Sequence, residues 1–131
     1  MTTDPLPTGL SALTVFVEDV AAEADFHHQV LGLPVVATDD HSAVLRTGAT
    51  YLNLLSAEQA GELVAPRPSA ALGSTAQVML SLWVDDLDAA CATLRERGAT
   101  LLNGPVDRPW GKRTVALSSP GGLVWEVAQD V

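Results

Sequence analysis

Cysteine occurs once in this 131-residue chain, as Cys91. A single thiol excludes an intramolecular disulfide and any Cys-rich zinc site, and it suits a reducing, cytoplasmic setting. Basic residues are scarce as well: seven Lys and Arg stand against sixteen Asp and Glu, a formal charge of −9. Nucleic acid needs phosphate-neutralising cations and is a poor partner, and an anionic membrane surface is disfavoured for the same reason. Long apolar runs are missing. The longest stretch without a charge, Pro68 to Val84, is interrupted by Gly73, Gln77 and several hydroxyl residues, so no transmembrane helix is expected. Met1 to Gly9 holds two prolines and no Lys or Arg, which does not fit the basic start of a signal peptide.

What remains is an ordinary globular composition, 47% hydrophobic and 18% charged, on the scale of one domain. Within it a pattern repeats. Val17-Glu18-Asp19-Val20-Ala21 is echoed by Val84-Asp85-Asp86-Leu87-Asp88, 67 residues later. Each segment closes a β-like run, Leu13 to Val17 or Val78 to Val84. Asp19 and Asp86 are suited to cap the helices that follow, over Val20 to Leu31 and Leu87 to Arg97, with Gly32 and Gly98 as stops. Three strand-like runs follow each helix: Pro34 to Thr38, His41 to Arg46 and Thr50 to Ser56, then Thr100 to Val106, Lys112 to Ser118 and Leu123 to Ala128. The architecture is βαβββ, twice, an α+β fold. Module one covers about 10–56 and module two about 77–128. The Ala-, Pro- and Ser-rich stretch 57–76 connects them, with one helical turn possible over Ala57 to Leu63, and the whole chain is treated as one unit.

A duplicated βαβββ chain with this punctuation resembles the vicinal oxygen chelate superfamily of glyoxalases, bleomycin resistance proteins and extradiol dioxygenases. The resemblance is carried by Val17-Glu18-Asp19-Val20 followed by Phe26 and Val30-Leu31-Gly32-Leu33, by Pro109-Trp110-Gly111-Lys112-Arg113, and by Ser119-Pro120-Gly121-Gly122-Leu123-Val124-Trp125-Glu126. It implies a curved mixed sheet around a cleft and, commonly, a domain-swapped homodimer. The metal-ligand places of the family fall on Ala12, Asn53, Met79 and Glu126, of which only Glu126 is a good ligand for a hard divalent ion. No metal or other cofactor is therefore expected. His27 and His28 are neighbours that diverge by about 100° on a helix and cannot act as a chelating pair. With His41 near a turn, all three histidines are expected at the surface or partly packed.

Strand alternation sorts the remaining residues into two faces. With the family positions as guide, the cleft face carries Ala12, Thr14, Phe16, Tyr51, Asn53, Leu55, Met79, Ser81, Trp83, Val124, Glu126 and Ala128. The other face is nearly all aliphatic: Leu13, Val15, Val17, Leu52, Leu54, Leu80, Leu82, Val84 and Val127, with Trp125. The candidate ligand-binding set is Thr14, Phe16, Tyr51, Asn53, Met79, Ser81, Trp83, Trp110 and Glu126, mostly apolar with a few placed polar groups, as a small-molecule pocket should be. Trp110 belongs to the loop that helps wall the site in the bleomycin-binding relatives. Arg113 is placed to pair with Glu126 or another carboxylate.

No nucleophile elbow, phosphate loop, HExxH helix or Cys/His pair occurs. The expected function is metal-independent binding of a drug-like natural product, aromatic or cationic, of the antibiotic resistance or self-resistance type. The alternative is an enzyme, lyase, isomerase or dioxygenase-like, that uses Glu126 as general base or acid in the same cleft. A scaffold with a degenerate cleft filled by Met79 and Trp83 is the third possibility.

Overall fold

A computed structural model describes residues 4–131. The first module runs β1 (Ala12–Val17), α1 (Val20–Gln29), β2 (Val35–Thr38), β3 (Ser42–Thr47) and β4 (Thr50–Ser56). The connection holds α2 (Ala57–Val64), twice the single turn expected there. The second module runs β5 (Met79–Trp83), α3 (Leu87–Glu96), β6 (Leu101–Asp107), β7 (Lys112–Ser118) and β8 (Val124–Asp130). Each module folds into a four-stranded mixed sheet, in the orders β1-β4-β3-β2 and β5-β8-β7-β6. In both, the first strand pairs parallel with the last, because the helix returns the chain across the sheet, while the remaining strands pair antiparallel through short turns.

The punctuation acts as its chemistry dictates. The Asp19 carboxylate accepts from the Ala22 amide at 3.0 Å, and that of Asp86 from the Ala89 amide at 3.1 Å, so both helices start on a side-chain cap. Gly32 and Gly98 take φ of 76° and 88°, a region that an L side chain resists. Asp39 turns the chain between β2 and β3 by accepting from the amides of His41 and Ser42, both at 2.8 Å. These amide contacts hold its carboxyl below the usual range.

The aliphatic face of each sheet is the inner one. Val15, Val17, Leu52 and Leu54 from the first sheet join Val115, Leu117, Trp125 and Val127 from the second in a single core. Leu45, Leu52, Leu54, Leu87, Leu117 and Leu123 are fully buried there, each contributing about 1.5–3 kcal/mol. Cys91 is buried in the same core, and burial pushes its thiol pKa up.

The two modules are joined through their helix-bearing sides, and here one expectation fails. His27 is neither at the surface nor partly packed but fully buried. Its Nδ1 donates to the Glu23 carbonyl at 2.7 Å, and its Nε2 accepts from the Trp125 indole N–H at 3.1 Å. Glu23 and His27 lie on the stripe of α1 that is turned into the core, where polar side chains need internal partners, while Asp25, His28 and Gln29 of the same helix stay in water. Glu23, also buried, accepts from the Gly121 amide through Oε1. Arg97 adds a third link, Nη1 to the Val30 carbonyl at 3.2 Å. His28 and His41 do lie at the surface.

Candidate functional site

Because the inner faces meet in one core, the opposite faces of both sheets point outward, and these outer faces carry the candidate residues. On the first sheet Thr14, Phe16, Tyr51 and Asn53 share the outer face with Val44 and Arg46 of β3. Asn53 Nδ2 donates to Thr14 Oγ1 at 3.5 Å, and its Oδ1 is buried without a partner. The Arg46 guanidinium lies 5.5 Å from the centre of the Tyr51 ring, an arrangement in which cation and aromatic face attract. Leu55, expected on the cleft face, is buried.

On the second sheet Met79, Ser81, Trp83 and Glu126 occupy the outer face. Ser81 and Glu126 are register partners, and Ser81 Oγ donates to Glu126 Oε1 at 3.0 Å. Trp83 is 76% exposed and Met79 52%. One face of the Trp83 ring is taken, since Lys112 Nζ sits 4.2 Å from its centre and also pairs with Asp130. Trp110, in the turn between β6 and β7, is 68% exposed. The structure therefore brings Thr14 to Asn53 and Ser81 to Glu126, but it leaves the two groups on separate sheets that turn away from the shared core.

Arg113 does not pair with Glu126. Register places it opposite Gln129 while Glu126 lies opposite Ala116, so the two point to different faces. Its partner is Asp107, with Nε 2.7 Å from the carboxylate. The pair holds the Asp107 carboxyl below its ordinary range and raises the guanidinium.

Residues that the sequence did not single out complete the second outer face. Arg108 lies back over the sheet, donating from Nε to Thr114 Oγ1 at 3.1 Å and from Nη2 to Asn103 Oδ1 at 3.3 Å. Spacing gives no hint of it, because Arg108 follows the last residue of β6 and reaches the face by folding over its neighbours. A cavity of about 730 Å³ lies elsewhere, along the open edge of β1. It takes in Thr14 and Phe16 together with Val64, Arg67 and Leu72, and it touches none of the other candidates.

A metal centre of the family type does not fit these residues. Ala12 has no donor, Met79 a thioether, and Glu126 and Asn53 stand on different sheets, whereas a catalytic divalent site takes about three protein ligands. Among the described residues no three His, Cys, Asp or Glu side chains gather in one place.

The comparison that decides the family covers nearly all of the chain: residues 9–127 match the sequence profile of the Glyoxalase/Bleomycin resistance protein/Dioxygenase superfamily. The protein belongs to that superfamily. Among curated proteins, YraH of Bacillus subtilis (strain 168) is 28% identical over 122 residues, covering 90% of this chain and 95% of YraH. A glyoxalase/bleomycin resistance protein/dioxygenase from Nocardioides superposes with a TM-score of 0.84 at 25% identity, over 98% of this chain and 87% of that one. A lactoylglutathione lyase from Agrobacterium tumefaciens superposes with a TM-score of 0.73 at 20% identity, over 96% of both chains, a likeness of fold. Superfamily members bind small molecules, and no helix among the described residues is long and apolar enough to cross a membrane.

Proposed function

We propose that this superfamily member is a metal-independent binding protein that sequesters a drug-like, aromatic natural product, as a resistance or self-resistance protein does. The observation that carries the reading is the exposure of Trp83 and Trp110, at 76% and 68%, beside an outer sheet face with a small polar complement. Large rings left in water are costly without a partner surface, and aromatic faces favour flat ligands. The protein works as a cytoplasmic homodimer, in which a second copy continues the sheets at their open edges. Supporting this, β1 and β5 each stand at the end of a sheet, with an edge that a second copy can extend, as in a domain-swapped pair.

The test is a fluorescence titration of the wild type and the Trp83→Ala/Trp110→Ala double variant against a panel of polyaromatic, quinone and glycopeptide antibiotics. The reading expects at least one compound to bind the wild type and to lose about tenfold or more in affinity in the double variant, since each aromatic contact contributes on the order of 1 kcal/mol beyond area burial. Unchanged affinity for every compound bound would remove Trp83 and Trp110 from the site.

One contact favours a second reading. The Ser81 hydroxyl on Glu126 Oε1 makes a carboxylate that is oriented, half-buried and still has Oε2 for a substrate proton. In an enzyme Glu126 would act as the general base or acid, and turnover surviving Glu126→Gln would remove that role.

A further inference from the structure

The open edge of β1 is spanned by the chain's own linker. Ser11 gives its carbonyl to the Tyr51 amide on the β4 side, so Thr14 and Phe16, at the opposite parity, turn their backbone groups to the open edge. The linker meets that edge at one bond, where the Leu72 amide donates to the Phe16 carbonyl at 2.9 Å. Among the described residues the Thr14 and Phe16 amides find no acceptor there. Between the strand and the linker lies the cavity of about 730 Å³, a size usual for a small-molecule site.

Its lining divides by chemistry. Val15, Val64, Leu72, Val78 and Leu80 make a branched aliphatic wall, with Phe16 as the one aromatic ring. Around them stand neutral polar groups of the linker, the hydroxyls of Ser69, Ser74 and Thr75 and the amide of Gln77. Arg67 is the only charged residue in the lining, in a chain whose acids outnumber its bases sixteen to seven. It is exposed, and it belongs to neither ion pair found among the described residues. An anion at this end of the cavity thus meets a guanidinium and hydrogen-bond donors and no carboxylate in the wall. The other end offers only burial for apolar groups. Leu13 to Phe16, the part of β1 that borders the cavity, spans about 10 Å, room for an extended eight-carbon chain.

We infer that this cavity binds an aliphatic monocarboxylic acid of medium chain length, with its carboxylate on Arg67 and its alkyl chain between β1 and the linker. The site is separate from Trp83, Trp110 and Glu126 and does not depend on what they bind. A second copy extends β1 only after the linker has left the Phe16 carbonyl, so the acid binds the chain whose linker is in place.

Isothermal titration of the full chain with octanoate, hexanoate and octanamide tests this. Octanoate should bind about tenfold tighter than hexanoate, for two more buried methylenes. It should also bind about tenfold tighter than its neutral amide, a difference that shrinks in high salt. Arg67→Gln should bring octanoate and octanamide to similar affinity, and Arg67→Lys should keep part of the preference. Ala71→Trp, which fills the cavity from the linker side, should weaken both probes about tenfold or more, and melting curves verify that each variant folds. No octanoate binding to the wild type at millimolar concentration overturns the inference. Equal wild-type affinity for the acid and the amide overturns it as well. So does octanoate affinity that is unchanged in folded Ala71→Trp, which places the acid outside this cavity. None of these results touches the outer-face reading, which the antibiotic panel tests by itself.

Discussion

The indole N–H of Trp125 on β8 donates to Nε2 of His27 on α1 at 3.1 Å, and both side chains are buried. This bond crosses from the second module to the first over 98 residues of sequence. Removing the donor leaves a buried imidazole nitrogen unsatisfied, which costs about 1–3 kcal/mol on top of the packing lost with the larger ring. Trp125→Phe should therefore lower stability more than an exposed Trp83→Phe does. In a double-mutant cycle with His27→Leu, chemical denaturation should give a coupling energy on the order of 1 kcal/mol. Additive effects would show that the bond contributes nothing to joining the modules.

The same bond makes stability depend on pH. With Nδ1–H on the Glu23 carbonyl and Nε2 accepting from Trp125, the folded imidazole is neutral, and burial, the largest influence, lowers its pKa below the ordinary 6.5. The unfolded chain therefore takes up the His27 proton at higher pH than the folded one does, so stability is present above about 6.5 and falls as the pH drops below it. Thermal melts at pH 7.5 and pH 5.5 should show a loss in the wild type that is smaller in His27→Gln. Asp39 and Asp107, whose carboxyls are also held low, add their losses only at more acid pH. An identical pH response in the variant would contradict this assignment.

Two glycines separate backbone strain from collision. Gly48 has φ of 60° with open space where a Cβ would stand, whereas at Gly104, φ 87°, an added Cβ would lie 2.3 Å from the Thr114 carbonyl oxygen. Gly48→Ala should cost about 1–2 kcal/mol, the left-handed penalty alone. Gly104→Ala should cost clearly more, about 3 kcal/mol or above, because β6 must move off β7. Denaturant midpoints compare the two directly, and equal costs would mean that the strands separate freely there.

Much of the architecture was legible in the sequence because it is local. Asp19 and Asp86 before helical runs, Gly32 and Gly98 after them, and the alternation of Leu52 with Asn53 or Trp125 with Glu126 each follow from rules that act over a few residues. The contacts between modules were not legible. His27 sits at a spacing that suits a surface histidine equally well, and its partner, Trp125, is distant in sequence. Arg113 and Glu126 differ in strand parity, and that difference depends on a register that the sequence leaves open. Arg108 reaches the outer face from the end of a strand, where alternation no longer says which way a long side chain lies. The candidate set drew one cleft face from both modules, and in a single chain these residues stand on two outward faces, since the aliphatic sides of both sheets are consumed in one core.

The central claim is that these faces hold an intact small molecule without a metal. Native mass spectrometry of the protein in metal-free buffer, mixed with polyaromatic, quinone and glycopeptide antibiotics, reads subunit count, bound metal and ligand mass in one spectrum. The account predicts a metal-free dimer carrying an unmodified aromatic compound. A bound divalent ion, or a compound returned with altered mass, would contradict it and make the protein an enzyme.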